Sequence, residues 1–444
     1  MRISFLTLAL ALCFCSVGFA GSGNDKSPLE VLAQRAISND PSQSAPAIAQ
    51  LRSRGPAGLE ALLTTCADDV KRRRENISRG EPGNRWQLIA AALDRVAAQR
   101  DAYAAGLYWY TDFDQACAAA KASGRPILSL RLLGRLDEDL SCANSRFFRI
   151  ALYPNSEVSK LLRERFILHW ESVRAVPKVT IDFGDGRKLE RTLTGNSIHY
   201  VLDENGRPIC ALPGLYGPAA FLRELERAEQ LAASLRGATN DREALLKQYH
   251  QNRLQELTAK WAEDLAKAGV TSPPRRDLTV VALPGKPPTA EAAAPRAASK
   301  RTLVQGPMLR ETSPKRNALE TSSEDLEWAK IARLYAQDAR LDNRSLTLMQ
   351  NKNPGTYGGA DIIGAFQRAR TNFERAIAED TARNKYTFET TIHQWFAAGT
   401  VTKDLHALNE KIYSELFLTP STDPWLGLFP ADSYTGLENE GIRK

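Results

Sequence analysis

The sequence is poor in the spacings that announce common chemistries. Five histidines and three methionines are spread over 444 residues, and no HExxH stands among them, so a zincin has no candidate here. No CxxC occurs, and no cysteine pair sits at finger spacing from histidines, which removes zinc-finger and c-type haem readings. Neither GxSxG nor a P-loop is present, leaving the serine-hydrolase and nucleotide-hydrolysing routes without support. Beyond the first twenty residues no apolar run approaches the roughly 20 residues of a membrane span. What is there is ordinary: 43% hydrophobic and 25% charged residues exclude a wholly disordered, collagen-like or multi-span chain. The length leaves room for two or three cores.

Residues 1–20, MRISFLTLALALCFCSVGFA, combine Arg2, an apolar run from Ile3 to Val17, and small residues at Gly18 and Ala20. This is the pattern of a cleaved secretory signal, and it predicts an exported protein, periplasmic or extracellular. Leu12 and Phe14, before Cys13 and Cys15, stand where a lipoprotein signal needs small residues. The net charge of +7 is localised: Thr271–Arg316 holds nine basic residues against three acidic ones, with eight prolines. Such a composition cannot bury a core and reads as a solvated basic Pro/Ala-rich linker, with a basic arm touching nucleic acid, anionic lipid or cell wall as the functional alternative. KRRR at Lys71–Arg74 reads in the same way as a solvated helix face.

Residues 27–104 read as helices. Ser27 and Glu30 form a capping box, and the apolar spacing either side of Gly55-Pro56 suggests one HEAT-type helical hairpin. From Gly106 the period changes. FDQACAAAKAS is helical, and PILSLRLLG is a bounded apolar run, as expected of a strand buried on both faces. NSEVSKLLRERF predicts a helix feeding the strand FILHWESV. Hairpins follow around Gly184–Gly186 and at Asn205–Gly206, then a helix from Pro218 and a helical extension over 237–268. After the linker, 322–444 reads as a C-terminal helical domain opened by Ser322 and Asp325, with an aromatic tail. There Asp380, Arg383, Asn384, His393 and Trp395 form a polar-aromatic set that suits either a binding site or a packed helix pair.

Three segments carry a resemblance over residues 105–236. YWYTDFDQACAAAKASGRPILSL, NSEVSKLLRERFILHWES and HYVLDENGRPICALPGLYGPAAFLREL are similar to the entry helix and first central strand, the helix–strand after the active loop, and the closing hairpin and helix of exported thioredoxin-like proteins. The resemblance implies an α/β thioredoxin-like domain, flanked here by N-terminal helical hairpins and a C-terminal all-α region. It also implies chemistry at a CxxC, where a helix N-terminus lowers one thiol's pKa and a second resolves the mixed disulfide. The matching stretch, DLSC, supplies only Cys142, with Asp139 in the first position. Ser197 falls where the family carries its cis-proline, and a cis bond before a non-proline costs about 3 kcal/mol, so a trans loop is expected.

Three readings of Cys142 stand open: a monothiol redox or peroxide-reacting centre, a structural disulfide with Cys210, or a buried thiol behaving as a small hydrophobe. Asp137, Glu138 and Asp139 would crowd a thiolate there, with Arg131, Arg135 and Arg146 as counter-charges. His199 could face the same pocket, and with His169 and the cysteines it could make a metal site; a lone strand histidine is also an ordinary packing residue. Cys66 and Cys117 read as core. No metal or cofactor is called for. The expected function is a binding or accessory scaffold with protein partners, no nucleic acid and no membrane span; the alternative is an oxidoreductase using Cys142, its pocket shaped by Asp139, Ser197 and His199.

Overall fold

The computed structural model describes residues 27–75, 83–192, 195–238, 241–276, 323–353, 362–401, 404–426 and 436–441. The expected leader at 1–20, the stretch 277–316 and the Ser322 cap lie outside these residues. The fold is mixed α/β, with helices at both ends of the chain.

Six helices open it: α1 Pro28–Ala36, α2 Pro41–Ser53, α3 Pro56–Thr65, α4 Ala67–Arg74, α5 Asn84–Ala97 and α6 Ala102–Ala105. Their starts are written locally. The Ser27 hydroxyl accepts the Glu30 amide of α1, and Asp40 accepts the Ser42 amide of α2, each satisfying a helix-start N–H. Leu51, Leu59, Leu62, Ile89 and Leu93 close a small core of their own, to which Leu348 from the far end of the chain is added.

Asp112 caps α7 (Phe113–Ser123), which leads to β1 (Ile127–Leu133), buried at every position. Helix α8 (Ala143–Phe147) runs on through a π-turn at Phe148–Leu152, and Asn155 caps α9 (Ser156–Arg165). Strands β2 (Ile167–Arg174), β5 (Ser197–Leu202) and β6 (Pro208–Pro213) join β1 in a sheet of order β2-β1-β5-β6. β1 is parallel to β2 and antiparallel to β5, and β5 is antiparallel to β6. Tyr110 adds a single parallel bridge to His169 at the β2 edge. Strands β3 (Lys178–Asp182) and β4 (Lys188–Thr192) form a separate two-stranded ribbon.

The long helices α10 (Pro218–Arg236) and α11 (Arg242–Ala268) follow the sheet. The C-terminal part contributes α12 (Ser323–Ala332), α13 (Asn343–Lys352), α14 (Ile362–Asn384), α15 (Thr390–Ala398) and α16 (Leu405–Lys411), with π-segments at Lys385–Glu389 and Ile412–Leu416.

This C-terminal part was expected as a domain of its own, yet it completes the sheet's core. One face of the sheet carries His199 against Phe148, Tyr153 and Phe221, hence under the α8 π-turn and α10. The other carries His169 against Phe113 of α7, and Tyr200, whose hydroxyl donates to Asn409 of α16. Buried apolar residues run without a break from Leu107 through β1 to Ile377, Ile412 and Leu426. At Gly217 a methyl group would lie 2.2 Å from the Asp338 carbonyl oxygen, so only glycine lets α10 start against that loop. The first residues of the expected linker are also held: the Arg275 amide donates to Glu324 at 2.8 Å, and the Arg276 guanidinium lies over Trp261.

Candidate functional site at the Cys142 turn

The turn Gly134–Ser141 links β1 to α8, and Cys142 is the residue that caps that helix. Its amide donates back to Leu133 at 3.2 Å. Its sulfur accepts the Ser145 amide at 3.4 Å and lies 4.0 Å from the Asn196 carbonyl oxygen, toward which the S–H points. The side chain has no solvent-accessible surface.

Asn196 is held from the other side. Its carbonyl accepts the Tyr413 hydroxyl at 3.3 Å, and its amide group donates to Thr419 Oγ1 at 3.0 Å. The C-terminal segment thus lies over the stretch beside Ser197, where the resemblance places the family's cis-proline. Ser197 is buried beside it, its hydroxyl accepting from Asn144 Nδ2 at 2.7 Å. No cis peptide occurs among the described residues, as the sequence led one to expect at Ser197.

The carboxylates of the acidic turn are matched by cations, with Asp137 and Glu138 sharing Arg135. Asp137 is bidentate with Arg135, which Glu138 also approaches at 3.5 Å. Asp139, more than half exposed, pairs with Arg100 at 3.2 Å and Lys352 at 3.4 Å. Partial burial works against its charge, but Lys352 and Arg100 outweigh this and hold its carboxyl below the usual range. Beneath the turn lies a residue the sequence did not single out. Arg149, 1% exposed, donates to the Asp139 carbonyl and to Ser141 Oγ, and pairs with Asp101 at 3.5 Å. Arg131 turns away and pairs with Glu171.

Cys142 and Cys210 are not bonded to each other. Cys210 pairs with Val201 in β6, five residues along the strand from Asn196. At about 3.3 Å per residue the backbone that Cys142 touches is roughly 16 Å along the chain from the neighbour of Cys210. Burial and the nearby Glu389 and Glu224 push the Cys210 thiol up to about 12.

His199 does not open onto the turn. Its Nε2 is 2.7 Å from the Tyr153 hydroxyl, and burial pushes its pKa down to about 3. His169 is bonded to Ser129 at 2.9 Å and is likewise pushed down to about 3, by burial and then Arg131. Both are neutral packing residues.

The polar set expected in the C-terminal part does not converge. Asn384 donates to the Leu215 carbonyl, Arg383 pairs with Asp325 and Glu379, and Trp395 stacks under Lys411. His393 belongs to a different, buried cluster assembled with α10 and α11. Arg253 joins Glu224 at 3.0 Å and Glu389 at 3.1 Å, while His250 Nδ1 meets His393 Nδ1 at 2.6 Å.

The protons follow from the partners. His250 Nε2 lies 3.0 Å from the Ile209 carbonyl, which can only accept, so the proton of neutral His250 is on Nε2. Its Nδ1 therefore accepts from His393 Nδ1–H. This leaves His393 Nε2 facing Glu389 Oε1 at 3.6 Å. Both rings are buried and held below the usual range, His393 to about 3 and His250 to about 2.

Among the described residues no group of three or more His, Cys, Asp or Glu side chains is placed to hold a metal ion, and no helix is long and apolar enough to cross a membrane. Comparison with known proteins finds no family model, no curated protein and no solved structure that matches the chain.

Proposed function

We propose that the chain is an exported thioredoxin-like protein whose active turn has been converted into structure, and that it acts as a binding or accessory scaffold. The topology supports the fold half of this reading. A parallel β1–β2 pair joined by helices, an antiparallel closing hairpin β5–β6 and the helix α10 follow the order of a thioredoxin core, with Tyr110 at the position of its edge strand. The observation that carries the functional half is the burial of Cys142, whose sulfur caps α8 beneath Asn196 and Tyr413. Thiol–disulfide exchange needs an accessible thiolate in line with the attacked sulfur, and a fully covered side chain has no such approach.

The test is iodoacetamide labelling of the native protein with mass mapping of Cys66, Cys117, Cys142 and Cys210, alongside insulin-disulfide reduction. Cys117, the half-buried one, should label first, Cys142 only when the protein is unfolded, and turnover should be negligible. Rapid native labelling of Cys142, with turnover lost in Cys142→Ser, would establish the oxidoreductase instead.

A further inference from the structure

Away from the Cys142 turn, a cleft of about 680 Å³ opens between α3–α4 and the first turns of α13. Its floor is apolar, made by Leu63, Ala67 and Val70, and Asn343 and Thr347 supply polar groups on the α13 side. Lys71, Arg74 and Arg344 line it as well. Contrary to the sequence reading, Arg74 is not part of a solvated face. It is half-buried, and its Nε donates to the Tyr103 carbonyl at 2.7 Å, which fixes the guanidinium.

Arg163 of α9 stands behind it, held by a bond from Nη1 to the Ala105 carbonyl at 2.8 Å. Around the missing side chain of Gly106, Arg74 Nη2 lies 3.8 Å and Arg163 Nη1 4.0 Å from the position a β-carbon would take. The two guanidinium nitrogens are therefore within about 8 Å of each other, a distance one multiply oxygenated anionic group spans. Gly106 has φ +64°, a conformation that favours glycine, and a β-carbon there would sit in ordinary contact with Leu63 and both guanidinium groups.

None of Lys71, Arg74, Arg163 and Arg344 pairs with a carboxylate among the described residues. The cleft contains one acid, the exposed Glu75. Several other arginines take carboxylate partners, such as Arg223 with Asp338 and Arg100 with Asp94, while Arg52 and Arg174 bond backbone carbonyls. The mutual repulsion registers in the groups themselves. Burial, then Arg344 and Arg163, lowers Arg74 to about 10, and burial, then Arg344, lowers Arg163. Gathering like charges costs free energy unless an anion offsets it.

We propose that this cleft binds a small organic anion, a phosphoryl ester or carboxylate, with its charged head among Arg74, Arg163 and Arg344 and its apolar body on Leu63, Ala67 and Val70. The volume is in the range of small-molecule sites, and the guanidinium fork matches both head groups. The binding does not depend on the reading of Cys142.

The experiment is titration calorimetry of the full chain with phenyl phosphate, phenylacetate and inorganic phosphate. Variants are Arg344→Gln and Lys71→Gln, both exposed and clear of the cores, with Arg223→Gln as a distant control. Saturable binding of phenyl phosphate or phenylacetate is expected at or below about 1 mM, weakened about tenfold in Arg344→Gln and unchanged in Arg223→Gln. Which of the two binds better identifies the head group, and weaker binding of inorganic phosphate confirms the apolar floor. No saturable binding of either organic anion, or equal loss in Arg344→Gln and Arg223→Gln, would overturn the proposal.

Discussion

Replacing Arg253 with leucine tests whether the buried charge cluster holds the C-terminal part to the sheet. The Arg253 side chain is 5% exposed and faces Glu389 at 4% and Glu224 at 15%. Its third partner, Glu256, is 58% exposed and contributes at most about 1 kcal/mol. Leucine fills part of the space but leaves two carboxylates buried without their counter-ion, a loss of roughly 3–5 kcal/mol for removing one partner. The pH dependence separates charge from packing. Burial, then the neighbouring Glu389, already raises the Glu224 carboxyl above its ordinary value. A raised carboxyl makes the folded state bind more protons than the unfolded one, so its stabilisation is full below the unfolded pKa and is lost as pH rises. Without Arg253 this effect grows, and the deficit of Arg253→Leu should be larger at pH 8 than at pH 5 by at least about 1.4 kcal/mol, the equivalent of one further pKa unit. Urea unfolding followed by tryptophan fluorescence reads it directly, because Trp328 is buried in the C-terminal part and packs on Trp261 of α11. A loss below about 1 kcal/mol at pH 8, or the same loss at both pH values, would refute a role for buried charge.

The same docking has two further consequences. Gly217→Ala puts a methyl against the backbone of Asp338 and should cost about 1–3 kcal/mol as overpacking, seen as a lower urea midpoint; an unchanged midpoint would mean that the loop yields freely. Limited trypsin should cut after residue 276, among the basic sites up to Arg316, and the fragments should co-elute on gel filtration until denaturant is added, because their apolar residues share one core. Separate elution in buffer would contradict that core.

The elements of the central region were legible because their signals are local. Bounded apolar composition marks β1, and its burial at all seven positions is what such a run requires when helices cover both faces. Asp112 and Asn155 announce α7 and α9 by accepting amides two or three residues on. Asn205–Gly206 turns the β5–β6 hairpin with Gly206 at φ +77°, a conformation glycine reaches without strain. The attachment of the C-terminal part was not legible, because it rests on pairs such as Tyr200 with Asn409 and Asn196 with Thr419, more than 200 residues apart. No spacing rule reaches across that distance. One usable signal did exist. In α11 the buried residues Leu246, His250, Arg253, Leu257 and Asp264 keep a seven-residue phase, so polar groups in step with the leucines mark a face that packs against charge.

The site residues divide along the same line. The sequence located the Cys142 turn, but its chemistry depended on what lay over it, and that came from Tyr413 and Thr419 far along the chain. With the Asn196 carbonyl and side-chain amide both engaged internally, a partner reaching the thiol would have to displace the C-terminal segment and expose apolar residues such as Ile412 and Leu416, each no more than 2% exposed. Uncovering one such side chain costs about 1.5–3 kcal/mol, and the Tyr200 and Asn196 bonds would be lost as well. The cleft beside Gly106 carries no such cost. Among the described residues its cations have no carboxylate partners to give up, and α13 connects it to the turn, with Arg344 at the cleft and Lys352 bridging Asp101 and Asp139 one short helix away. On energetic grounds, the anion binding proposed at the cleft costs less than any approach to the buried thiol.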